Sequence, residues 1–85
     1  MNSKRRSEIE ISADILKVAL DGAKKSHIVY RANLNFEVVK KYLKLLFDSG
    51  LISLKTSDKR LFQTTPKGVD YLTQYRALTK YMRYE

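Results

Sequence analysis

Apolar positions near the start of the chain recur at helical spacing. Ile9, Ala13, Leu16 and Leu20, with Ile15 and Ala19 beside them, run up to Gly22. Ser7 followed three residues later by Glu10 forms a capping box, so a first helix is expected over about residues 8–21. Ser26 is expected to cap a short second helix through about Ala32, with Ile28 and Val29 inward, Tyr30 reading equally as half-buried packing or as a surface residue, and Asn33 as a left-handed stop. Leu34 plugs the turn. Asn35 then caps a third helix from Phe36 to about Ser49, in which Val39, Leu43 and Leu46 form an inward stripe. Phe36 is expected in the core, and Gly50 ends the helix. Two helices about a tight turn, the second carrying Lys40, Lys41 and Lys44 off its apolar stripe, predict a helix-turn-helix.

After Gly50 the period changes. Leu51 to Lys55 and Leu61 to Thr64 read as short strands about a polar turn from Thr56 to Arg60, a small hairpin or wing. Thr65-Pro66 is a strong helix start, because Thr caps and Pro loses nothing at the first helical position. The last helix is expected from Pro66 to near the C-terminus, a rod of roughly 28 Å. Val69 and Leu72 return to the core, whereas Tyr71, Tyr75, Leu78 and Met82 make a second stripe at seam spacing. That stripe predicts a homodimer, antiparallel, through residues 71–82. The competing reading folds the rod across its own domain, the tyrosines covering the first helix.

These elements predict a mainly α chain with a small β-hairpin, an α+β winged helix-turn-helix with a long C-terminal dimerisation helix. Its expected divisions are a flexible basic arm at 1–6, the winged domain at 7–68 and the rod at 69–85. Eighty-five residues, 44% of them hydrophobic, with three Gly and one Pro, suffice for one small folded domain. The absence of Cys removes disulfides, thiolate nucleophiles and Cys-rich zinc sites, and the single His27 builds no cluster. Neither metal nor cofactor is expected. Without a paired-carboxylate spacing, a third partner for Ser and His27, or a phosphate-binding glycine loop, an enzyme is not expected either. Charges interrupt every apolar run well before bilayer length and no signal-peptide pattern opens the chain, so a cytoplasmic, nucleoid-associated protein without a membrane partner is expected.

Charge changes the picture most. Seventeen Lys and Arg against nine Asp and Glu leave a net charge of +8, which attracts polyanions. The positive residues are segregated: the first helix is acidic through Glu8, Glu10 and Asp14, while a terminal arm, the middle of the chain and the hairpin are basic.

The strings Ala32-Asn33-Leu34-Asn35-Phe36, Tyr42-Leu43 with Leu46 and Gly50-Leu51-Ile52, and Phe62 with Thr64-Thr65-Pro66-Lys67-Gly68 resemble the archaeal winged-helix DNA-binding family over about residues 7–84. Within it the chain is most similar to the ten-kilodalton winged-helix chromatin proteins of thermophilic archaea, a resemblance that implies a dimer formed by the C-terminal helix. Thr64 stands where such proteins usually place a larger apolar residue, and Pro66 replaces their usual acidic one.

In helix-turn-helix geometry the second helix lies in the major groove of duplex DNA. Asn35, Glu37, Lys40, Lys41 and Lys44 are the candidates there, with Lys40 and Lys41 foremost. Asn35 reads first as a cap rather than a base reader, Glu37 also as a charge that favours the helix N-terminus, and Lys44 equally as a solvated residue. Lys24, Lys25, Ser26 and His27 gather at the start of the second helix, where free N–H groups favour phosphate, and Arg31 can bridge a further one. On the wing, Lys55, Ser57, Lys59 and Arg60 are expected along the backbone or in the minor groove, joined by Lys4, Arg5 and Arg6 of the arm. A transcriptional regulator or chromatin-like protein follows. The alternative is a protein-interaction adaptor whose winged helix no longer reads DNA and whose tyrosine-rich rod recruits a partner.

Overall fold

A computed structural model describes residues 6–81. Helix α1 (Glu8–Val18) begins where the Ser7 hydroxyl accepts the Glu10 N–H at 3.1 Å and the Glu10 carboxylate accepts the Ser7 N–H at 3.2 Å. The reciprocal pair satisfies two donors that a helix start leaves open. The chain then turns through Ala19 and leaves the helix at Gly22, whose φ is +106°.

Helix α2 (Lys25–Arg31) starts after Lys24, whose side chain forms no cap, and Ser26 sits inside its first turn. Ser26 is therefore not the cap, and pairing across the chain is the reason. Ala23 exchanges backbone hydrogen bonds with Phe62 at 2.9 and 2.8 Å, which fixes extended backbone immediately before Lys25, so no side-chain cap is needed to set the helix start. Asn33 does stop the chain in the left-handed region, at φ 55°. Asn35 then caps α3 (Phe36–Asp48) by accepting the Val38 N–H at 2.8 Å.

The hairpin pairs β1 (Ile52–Lys55) with β2 (Asp58–Thr64), Ile52 opposite Thr64 and Leu54 opposite Phe62. Its turn is only Thr56 and Ser57, so Lys59 and Arg60, expected in the loop, belong to a strand. Helix α4 (Pro66–Thr79) begins at Thr65, whose hydroxyl accepts the Gly68 N–H at 3.1 Å, with Pro66 in the first turn.

One core joins all of these. Ala13, Ile15, Leu16 and Ala19 of the α1 segment pack with Ile28, Val39, Leu43, Leu46, Ile52 and Leu72. Each fully buried Leu or Ile contributes about 1.5–3 kcal/mol. Phe36 is not part of it: at 56% exposure, the first residue of α3 lies beyond the end of the buried stripe, with the Lys25 ammonium 5.5 Å from its ring centre. Val69 stands 45% exposed on α4, against expectation, and Tyr30, whose burial the sequence left open, is 84% exposed on α2. On α4 it is Leu72, with Tyr71 and Tyr75 partly buried beside it, that packs on the core.

Thr64 has a polar task. Buried beneath the hairpin, its hydroxyl donates to the Leu16 carbonyl at 2.7 Å and its N–H to the Ala19 carbonyl at 2.9 Å, satisfying acceptors at the end of α1 that a larger apolar residue would leave half-met. Next to it, Gly68 is buried where a Cβ would collide with the Leu51 carbonyl oxygen and the Thr64 methyl, so α4 and the hairpin meet at backbone contact.

Candidate nucleic-acid interface

The Ala23–Phe62 bridge also brings the start of α2 against the wing. At that junction Lys25 of α2 and Lys40 and Lys44 of α3 rim a groove of about 330 Å³, floored by Leu43, Phe47, Leu54 and Phe62. Three elements distant in sequence thus contribute ammonium groups and apolar surface to one place. Lys24 lies close enough to help hold the Asp58 carboxyl down.

Asp58 and Arg60 form a fork on the wing. Arg60 donates from Nε to Asp58 Oδ1 and from Nη2 to Oδ2, both at 3.0 Å, and the Arg60 N–H adds a third bond at 3.0 Å. Side-chain hydrogen bonding to Arg60, then its backbone bond, then the charges of Arg60 and Lys24 lower the Asp58 pKa to about 2. A depressed carboxyl keeps its pairing above its folded pKa and loses it as pH falls through that value, so the fork persists from neutrality down to about pH 2. The Arg60 charge is therefore matched before any polyanion arrives.

On the outer face of α3, Glu37, Lys40, Lys41, Lys44 and Asp48 form one exposed stripe. Lys44 pairs with Asp48 at 3.1 Å. Lys40 and Lys41 have no carboxylate partner among the described residues, and they border two adjoining hollows that share Lys44. Lys40 faces the wing groove, whereas Lys41 lines a second hollow with Glu8, Tyr42 and Leu45. Asn35 is committed to its cap and Glu37 sits in the first turn of α3.

Other expected contacts fall elsewhere. The Lys55 ammonium donates to the Asp21 carbonyl at 2.8 Å, fastening the hairpin to the loop after α1 rather than pointing away from the wing. Ser26, His27 and Arg31 are exposed along α2, Ser57 occupies the turn and Lys59 is exposed on β2. Arg6 is no free arm residue: it is bonded to Asp14 and to the carbonyls of Ala32 and Asn33. Lys4, Arg5 and Met82 lie outside the described residues. Sequence reading missed Asp58, whose spacing of two residues from Arg60, which puts both side chains on one face of a strand, was the available signal. It also missed Lys67, whose ammonium reaches the Ser49 carbonyl at 2.9 Å at the end of α3, a contact with no local signature.

The stripe on α4 divides. Tyr71 donates its hydroxyl to the Ile9 carbonyl at 3.0 Å, and burial pushes its phenol pKa up. Tyr75 packs on the core with the Lys17 ammonium 5.9 Å from its ring centre. Leu78 at 68% and Ile9 at 60% remain exposed, and with Tyr71, Gln74 and Tyr75 they line an apolar hollow of about 240 Å³.

Comparison with known proteins bears out the winged-helix architecture. The profile of the family described as winged helix-turn-helix matches residues 5–83. Sso10a-2, a DNA-binding protein from Sulfolobus solfataricus, is 26% identical with a TM-score of 0.72 over 94% of this chain and 100% of that one. A mutant of MepR from S. aureus shares the fold at 18% identity and a TM-score of 0.70, over 92% of this chain and 61% of its own. The multiple antibiotic-resistance repressor MarR from Listeria monocytogenes does so at 16% identity and a TM-score of 0.65, over 82% and 55%. The chain therefore spans less than two thirds of those two proteins. Among curated proteins no match was found. No helix among the described residues is long and apolar enough to cross a membrane.

Proposed function

The chain belongs to the winged helix-turn-helix family, and from that premise we propose that it binds duplex DNA, as a dimeric regulator or chromatin-like protein of the nucleoid. The observation that carries this reading is the meeting of Lys25, Lys40 and Lys44 at the junction of α2, α3 and the wing, with Lys41 on the adjoining flank. The DNA-binding character of Sso10a-2 supports it. In this reading α3 enters the major groove with its lysine stripe and the short wing lies along the backbone. Lysine is a point charge, and α3 offers no Arg fork for guanine, so phosphate attraction dominates and sequence preference is modest.

About six phosphate contacts per protomer give a steep ionic dependence. In a gel-shift titration, affinity for duplex is expected to fall on the order of 10³-fold between 50 and 200 mM salt. Failure to bind at low salt, or binding that ignores salt, overturns the proposal.

The exposed hollow around Ile9, Tyr71, Tyr75 and Leu78 supports α4 as the dimer contact. Sedimentation should show a dimer that Leu78→Glu converts to a folded monomer. A monomeric parent protein, or a variant dimer of unchanged strength, would place the contact elsewhere or remove it.

A further inference from the structure

Arg6 lies two residues before α1, yet its guanidinium reaches the far end of α2. Nη1 donates to Asp14 Oδ2 at 2.8 Å and to the Ala32 carbonyl at 2.9 Å, and Nη2 donates to the Asn33 carbonyl at 2.8 Å. Ala32 is the C-cap of α2 and Asn33 its left-handed stop, so these carbonyls lie where a helix leaves its acceptors open and its dipole is negative. A planar fork meets two adjacent carbonyls and a carboxylate from two nitrogens held at fixed spacing, a spread that the compact donor of an ammonium does not match. Asp14 in turn is anchored on the second turn of α1, with its other oxygen 3.9 Å from Lys17.

The turn held in this way connects the two helices of the helix-turn-helix. From Asn33 only Leu34 and the cap Asn35 intervene before α3. The backbone there is set by few other ties: Leu34 N–H to the Val29 carbonyl at 3.0 Å and a longer Asn33 N–H to Tyr30 bond at 3.3 Å. We propose that Arg6 is a positioning residue, locking the α2–α3 turn to α1 and so fixing the angle at which α3 is presented. Its relevance to DNA rests on the function proposed above, but its hold on the turn does not. Arg6 then serves binding without touching phosphate, although its place beside the basic terminus suggests a contact.

Two variants test this, Arg6→Gln and the near-isosteric Asp14→Asn. Amide hydrogen exchange of the intact protein should show Leu34, Val38 and Val39 exchanging on the order of tenfold faster in Arg6→Gln, and less so in Asp14→Asn, as expected when charge-assisted bonds at a half-exposed site are lost. Thr64 and Leu51, bonded at the other side of the molecule, should keep their rates. Equal acceleration throughout, or none, overturns the proposal. Duplex binding supplies the second arm: Arg6→Gln should bind more weakly with an unchanged salt slope, and Arg6→Lys should recover only part of the loss. A slope reduced by about one would mean that Arg6 contacts a phosphate, which also overturns it. Should the parent protein ignore DNA altogether, the proposed function fails while the exchange measurement still decides the role of Arg6.

Discussion

Gly68→Ala is expected to be the most damaging of the three glycine-to-alanine changes this chain allows. Its Cβ would meet the Leu51 carbonyl oxygen and the Thr64 side chain, neither of which is the loose end of a flexible group. Leu51 O already accepts the Thr65 N–H at 3.0 Å, and Thr64 is tied to α1 through two hydrogen bonds. Relief therefore requires α4 to back away from the hairpin, lifting Leu72 out of the core. Overpacking of this kind costs about 3 kcal/mol or more, a large share of a small domain's stability. A thermal melt should show Tm falling by roughly 12 °C or more. Gly50→Ala is the control: its Cβ has space, and only its positive φ of +76° opposes the change, so a cost near 1 kcal/mol is expected. Equal melting temperatures for Gly68→Ala and the parent would show that α4 does not seat on the hairpin as described.

The largest effect on binding is expected from reversing Lys40 and Lys41 together. Both are exposed on α3 and neither is matched by a carboxylate among the described residues. With a slope of about 0.9 per phosphate contact, each is worth roughly tenfold in affinity near 0.1 M salt. Lys40→Glu with Lys41→Glu should weaken duplex binding by on the order of 10² or more and reduce the salt slope by about two. Lys44→Glu should cost less, because Asp48 already draws on that ammonium, and Lys80→Glu at the far end of α4 should cost least. A ranking in which Lys80→Glu matches the α3 pair would relocate the DNA face.

What the sequence revealed was mostly what neighbours in the chain decide. Ser7 with Glu10, Asn35 and Thr65 each cap a helix through a bond to a residue three positions on, and Asn33 and Gly50 adopt positive φ where a helix must stop. The inward stripe of Val39, Leu43 and Leu46 follows from period alone. Contacts between distant segments were not visible. The start of α2 is set by Phe62 rather than by Ser26, and the hairpin turn is shorter than its run of polar residues suggests because Asp58, Lys59 and Arg60 pair as strand. The candidate site divides in the same way. The lysine stripe of α3 could be read from spacing, whereas composition counts Lys55 and Arg6 as cations without showing that backbone carbonyls already engage them.

Part of the positive charge is matched at home: Arg60 by Asp58, Lys44 by Asp48, Arg6 by Asp14. Mutational routes to a stickier molecule are correspondingly asymmetric. Losing the Asp48 or Asp58 carboxylate unmasks a cation that is already in place beside the proposed DNA face, so removing either acid should tighten phosphate attraction without adding a basic residue.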